Sequence, residues 1–215
     1  MIYLHSVSKT YISKDDAPRL VFRPTTVVLP TDRRVAILGD RLQGKTMLLR
    51  LLAGLEAPDE GEVMAPLRLS PIANARALFH LRLSGLENIR LLARMLGVDA
   101  HQLTLAVNAF CGMGNVLARP LYHLKLQQRQ LLDIALLAVL SFDCYLLDNA
   151  HSLPRELLER YLEAAAQRGA GLIFTTAVPR QACEYADYAV VISDHTVRAF
   201  NQVDEAIESY ERKAG

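Results

Sequence analysis

Cysteine is scarce in this sequence, and what there is forms no pattern. Cys111, Cys144 and Cys183 lie far apart, fit no metal-ligand spacing and make no disulfide framework, so small buried apolar side chains in a reducing compartment are expected. An excess of charge is missing as well. With 24 basic residues against 23 acidic ones the net charge is +1, so no global field marks nucleic acid or an acidic surface as partner. The segment MIYLHSVSKTY lacks the apolar centre of a signal peptide. The most apolar stretch, Leu131 to Leu147, is broken by Asp133, Ser141 and Asp143, so no segment is expected to span a bilayer. Internal repeats, low-complexity tracts and interdomain linkers are absent too. A soluble, cytoplasmic chain is the expectation, reaching a membrane only through a partner.

What is present suits a sizeable core: 51% of the residues are hydrophobic and 22% charged. The length of 215 residues fits one compact domain, or one domain with a small lobe. MIYLHSV and TTVVLP read as two strands joined by a polar loop around SKDDAP. RRVAILG reads as a short buried strand ending at Gly39, and GKTMLLRLLAGL as a helix closed by Gly54. APDEGEV turns into a further strand at Glu62 to Met64. LENIRLLARMLG and AHQLTLAVNAFCGM then carry apolar residues at helical spacing, so residues 83–125 are expected to form a helical lobe. A helix from Gln127 to Leu140 precedes the strand CYLLD. After it come the helix LPRELLERYLEAAAQR, the strand GLIFTT, a short helix around RQACEYA and the strand YAVVIS. This alternation predicts an α/β chain with a parallel sheet, N-terminal antiparallel strands and an inserted helical lobe, within one domain spanning 1–215.

The order places two motifs at carboxyl ends of strands, where open α/β sheets bind ligands. The first is GDRLQGKT, residues 39 to 46, which matches the phosphate-loop pattern through Gly39, Gly44, Lys45 and Thr46. Such a cradle needs backbone N–H groups converging at a helix start, a lysine for the outer phosphates and a hydroxyl for the metal. Asp40, Arg41, Leu42 and Gln43 are bulky and charged for a loop that wraps a polyphosphate. The second motif is CYLLD. An apolar strand ending in Asp148 is how P-loop proteins anchor Mg²⁺ through water, although such an aspartate can equally cap a turn. The next residue, Asn149, cannot take a proton from an attacking water as a carboxylate can, and loss of a general base typically costs about 10²–10⁴ in rate.

Together, VAILGDRLQGKTMLLRLLAGLEAPDEGEV, LSGLENIRLLARMLG and FDCYLLDNA resemble the ATP-binding subunits of ABC transporters over nearly the whole chain. The similarity is to the branch that exports capsular polysaccharide and O-antigen. It implies an ABC ATPase-like P-loop NTPase that binds ATP and Mg²⁺. It also implies docking on a membrane permease subunit and pairing with a second ATP-binding subunit, at the inner face of the bacterial inner membrane. Neither nucleic acid nor a direct membrane span is implied. The segment LENIRLLARMLG would face the permease, though its apolar stripe equally suits packing inside the lobe. Carried over by position, Tyr11 would stack on adenine, or else it is a half-buried tyrosine at a strand end. Lys45 and Thr46 keep their phosphate and metal roles, and Asp148 its metal role.

Other positions depart from the family pattern. Leu42 replaces a glycine inside the loop, which puts close backbone approach in question. His80 stands where a glutamine senses metal and water, and a surface side chain is its plainer reading. Lys125, Leu126 and Gln127 replace the serine and glycines of the signature that clamps the partner's γ-phosphate. Ala177 stands where the family has the histidine that contacts γ-phosphate. Apart from Leu42, these departures, with Asn149, fall on hydrolysis rather than binding. A subunit weak or inactive in hydrolysis is therefore expected, with a complete paralogue as a candidate partner. The alternative is a non-hydrolysing regulatory or scaffold protein of polysaccharide export or biosynthesis. A small-molecule kinase, with Arg119 and Arg129 as lid residues, lacks any acceptor-site constellation.

Overall fold

The structure, a computed structural model, describes residues 1–12, 17–74 and 79–214. Of the SKDDAP loop, residues 13–16 lie outside the described residues. The chain forms two compact units. The first comprises Met1–Ile72, Phe142–Ser152 and Gly169–Gly215, and the second Ala73–Ser141 and Leu153–Arg168.

The first unit holds two sheets. Strands β1 (Ile2–Ile12), β2 (Pro18–Leu29) and β4 (Glu60–Met64) form an antiparallel sheet in the order β2-β1-β4. β1 is bulged, with Ser6 at φ 50°, and Gly61 lies across from the bulge at φ 77°. A Cβ at Gly61 would sit 2.3 Å from the His5 carbonyl oxygen, so only glycine closes this pairing. The second sheet runs β5-β6-β7-β3-β8-β9, from β5 (Leu69–Ala73), β6 (Cys144–Leu147), β7 (Gly171–Thr176), β3 (Arg34–Leu38), β8 (Tyr188–Ser193) and β9 (Thr196–Phe200). β3 lies parallel between β7 and β8. Its side chains from Val35 to Leu38 are fully buried, as are all four of β6, because a central parallel strand is covered on both faces.

The helix α1 (Lys45–Leu52) follows β3 through residues 39–44. A short helix α6 (Pro179–Tyr185) and the terminal helix α7 (Val203–Ala214) complete the first unit. Arg34 at the start of β3 makes a two-pronged ion pair with Asp187, at 3.0 and 2.8 Å, fixing the entry to β8. The hydrogen bonds from Arg34 hold the Asp187 carboxyl below the usual range.

The second unit is helical, with α2 (Gly85–Leu96), α3 (Ala100–Cys111), α4 (Leu126–Val139) and α5 (Arg155–Ala166). It extends beyond residues 83–125, because α3 packs on α4 and α4 on α5. From Leu132 to Ala138 every residue of α4 is buried, so this helix must be covered on several sides.

The sequence reading omits β5, β9 and α7. β5 has the burial of a sheet strand without a matching apolar alternation in Leu69-Ser-Pro-Ile-Ala73, and β9 is short and half exposed. The cysteines need a correction. Only Cys144 is buried, which pushes its thiol up to about 12, while Cys111 is partly exposed and Cys183 is exposed. Cys183 sits on α6 next to the buried Ala182 and is itself exposed.

Candidate nucleotide-binding site

Residues 39–46 leave β3 and enter α1 at Gly44, whose φ is 95°. A Cβ there would come within 2.5 Å of Val21 Cγ1 and 2.9 Å of Phe22 Cζ on β2, so the turn admits glycine alone. Lys45 is buried and donates from Nζ to the carbonyls of Gly39 (2.5 Å) and Asp40 (2.7 Å). Burial lowers the Lys45 pKa, against the opposing pull of Asp148 and Asp40.

The bulky residues of the loop do not fill it. Leu42 takes φ 72° and is 93% exposed, so it keeps the left-handed backbone of a glycine and carries its side chain into solvent. Gln43 folds back on Asp40: its Oε1 accepts from the Asp40 N–H at 3.0 Å, and its Nε2 lies 3.4 Å from Asp40 Oδ2.

Asp148 follows β6 and is buried. Its Oδ2 accepts from Thr46 Oγ1 at 2.8 Å and its Oδ1 from Thr175 Oγ1 at 2.6 Å. Asn149 stands at φ 50°, a region Asn enters more readily than most residues. Its N–H donates to Thr175 Oγ1 (2.8 Å) and its Nδ2 to Asp148 Oδ2 (3.1 Å). The amide is thus turned onto the aspartate. Thr46 and Asp148 together offer only oxygen ligands, and the Thr46 hydroxyl donates its hydrogen bond to Asp148, which leaves its oxygen lone pairs for a cation. That donor set fits Mg²⁺, which takes oxygen ligands. Among the described residues no group of three or more His, Cys, Asp or Glu is placed to hold a metal ion.

A cleft of about 850 Å³ opens beside the loop, walled by Tyr11, Arg19, Arg41, Lys45, Thr46 and Asn149. That volume is in the range that houses a nucleotide-sized ligand. Tyr11 is half exposed near the end of β1, opposite Arg19 on β2, and borders the cleft. Asp194 and His195 of the β8–β9 turn also border it.

Of the residues expected from sequence, Tyr11, Gly39, Gly44, Lys45, Thr46, Asp148, Asn149 and Ala177 all lie in the first unit. Ala177 follows β7 but does not line the cleft; the neighbouring Thr176 hydroxyl is engaged by Gln181 at 2.7 Å. His80 and Lys125 to Gln127 belong to the second unit. The His80 side chain is exposed, while its backbone is clasped by Asn88. Lys125 precedes α4, and its N–H donates to Gln128 Oε1 at 3.0 Å.

Sequence reasoning missed Thr175 as the residue that orients Asp148. The pairing of Leu147 with Phe174 in parallel strands carries Thr175 beside it, and that register is not written in either strand alone. It also missed Asp194 and His195, for which no sequence signal existed.

Over its whole length the chain is similar to the capsule polysaccharide export ATP-binding protein CtrD of Neisseria meningitidis serogroup B, at 27% identity over 220 residues, or 98% of each chain. The ATP-binding protein BexA of Haemophilus influenzae is similar to the same extent, 27% over 220 residues and 98% of each chain. Among solved structures, a dimeric ATP-binding cassette in a post-hydrolysis state with ADP and Pi superposes with a TM-score of 0.79 at 17% identity. It covers 93% of this chain and 98% of its own, a likeness of fold. No protein-family model matches the chain.

Proposed function

We propose that this chain is an ATP-binding subunit of an ABC transporter, that it binds Mg-ATP as part of a polysaccharide exporter, and that it hydrolyses ATP weakly or not at all. The observation that carries the binding half is the arrangement of Lys45, Thr46 and Asp148 around one loop beside an open cleft. Lys45 and the N-terminus of α1 supply positive potential for the outer phosphates, and Tyr11 supplies a ring for the base. Thr46 and Asp148 would hold the metal, which shields phosphate charge when bound. The full-length similarity to capsule export proteins supports the choice of cargo.

The weak-hydrolysis half rests on Asn149. Its amide has no proton affinity to serve as a base, and its Nδ2 is committed to Asp148. Ala177 offers no side-chain donor to a γ-phosphate. A membrane permease and a second ATP-binding subunit are the partners this reading requires. Among the described residues no helix is long and apolar enough to cross a membrane, which is consistent with peripheral attachment at the inner face. The exposed Leu91, Met95 and Leu96 of α2 offer the permease an apolar contact.

A Mg-ATP titration beside a phosphate-release assay tests both halves. Saturable binding that Lys45→Ala abolishes, with turnover near background, is expected. Binding indifferent to Lys45→Ala would remove the nucleotide role, and brisk turnover by the isolated chain would remove the second half.

A further inference from the structure

The loop of residues 39–46 contains an anion, Asp40, in a place that must receive a polyphosphate. A mobile carboxylate there would repel the incoming charge. In this structure neither carboxylate oxygen is left to itself. Oδ2 faces Gln43 Nε2, and Oδ1 accepts a 2.6 Å hydrogen bond from the hydroxyl of Tyr210, 170 residues away on α7.

The position of Tyr210 makes this bond more than a chance surface contact. Ala206 and Tyr210 are the buried residues of the described part of α7, four apart on its inward face. The helix packs against α6, β8 and β9. Packing alone needs only the ring, which phenylalanine would supply. The hydroxyl brings a desolvation cost that Asp40 offsets with a short, charge-assisted bond. Burial and the Asp40 carboxylate push the phenol up to about 12, so it remains a donor throughout the physiological range. The same Asp40 holds Lys45 Nζ through its carbonyl oxygen at 2.7 Å. A chain of contacts thus runs from the terminal helix, through Asp40, to the phosphate-binding lysine.

We infer that α7 braces the nucleotide loop and that Tyr210 is a positioning residue for it, fixing the Asp40 carboxylate and with it the turn that presents Lys45. This rests on the Mg-ATP reading for its purpose, while the brace itself is a property of the loop without nucleotide. The substitution of a loop glycine by Leu42 gives such a brace a reason. With one residue held in a left-handed conformation against its preference, the loop needs tertiary support that a glycine-rich loop does not.

Two measurements on the full chain decide it. Hydrogen–deuterium exchange of residues 39–46 without nucleotide is compared for wild type, Tyr210→Phe, Asp40→Asn and the double variant. Mg-ATP affinity is titrated for the same four. Tyr210→Phe is expected to speed loop exchange several-fold, leave exchange in α7 unchanged and weaken Mg-ATP binding about tenfold, the scale of one charge-assisted hydrogen bond. In the Asp40→Asn background it is expected to add much less. Loop exchange equal to wild type in Tyr210→Phe overturns the brace. So does acceleration throughout α7, which would make Tyr210 a packing residue, and so does an effect undiminished by Asp40→Asn. If the wild type binds no Mg-ATP, the proposed function falls, and the exchange data still decide whether α7 braces the loop.

Discussion

Two single residues set the character of the site. Leu42 holds φ 72° with a branched side chain almost wholly in solvent. A left-handed L-residue costs roughly 1–2 kcal/mol, and a glycine there gives back about 0.5–1 kcal/mol through the freedom of the unfolded chain. Leu42→Gly is therefore expected to stabilise the protein by about 0.5–1 kcal/mol, raising the thermal midpoint by about 1–4 °C. A lowered midpoint would mean that the loop is not strained at this residue. Asn149 bears on the proposed weak hydrolysis rather than on stability. Asn149→Glu places a base beside Asp148, and phosphate release should rise at least tenfold. It should stay short of the full 10²–10⁴ of a general base, because Ala177 is unchanged. Turnover that does not move would assign the deficit elsewhere.

At the level of the element, helix ends and buried polar groups decide stability. α2 begins with a capping box in which Ser84 Oγ accepts from the Glu87 N–H at 3.2 Å and Glu87 Oε2 accepts from the Ser84 N–H at 2.7 Å. Ser84→Ala removes the acceptor of the Glu87 N–H while keeping the backbone bond to Glu87 Oε2, and should cost about 1 kcal/mol in urea unfolding. α4 carries a different liability in Asp133. Its Oδ2 accepts from the Asn74 N–H, and its Oδ1 has no hydrogen-bond partner among the described residues. Burial raises its carboxyl to about 7. The folded state therefore holds this proton more tightly than the unfolded chain does. Stability from this group is complete below the unfolded value near 4 and is lost as the pH rises through about 7. Thermal midpoints at pH 5 and pH 8 test it. The wild type should lose more between them than Asp133→Asn, which has no charge to bury. An equal loss in both would show that Asp133 is ionised in the fold.

At the scale of the molecule, the proposed pairing with a second chain turns on the segment that precedes α4. In Lys125-Leu126-Gln127 no glycine allows backbone to approach a phosphate, Leu126 is exposed, and the Lys125 N–H is already taken by Gln128. Two identical chains would therefore close poorly on each other's nucleotide. Light scattering is expected to give a monomer with and without Mg-ATP, and an ATP-induced dimer would contradict this. A complete paralogue would supply the missing signature, which is why the proposed partner is a different chain.

Much of this protein follows from local pattern. The apolar runs Val35 to Leu38 and Cys144 to Leu147 announce buried parallel strands, because a strand covered on both faces has no polar positions to alternate. Gly44, Lys45 and Thr46 announce a phosphate loop, because few other residues allow that turn and that chemistry. Asn149 is legible for the same reason: an amide is not a base wherever it sits. Other features depend on strands and helices meeting across long stretches of chain. Thr175 reaches Asp148 only through the β6–β7 register, and Tyr210 reaches Asp40 only once α7 has docked. Leu42 reads from sequence as an obstruction, whereas in the fold its side chain points to solvent and its backbone keeps a glycine's conformation. Residue type and spacing determine which chemistry is available. Register and docking, set by burial summed over the whole core, decide which side chains hold that chemistry in place.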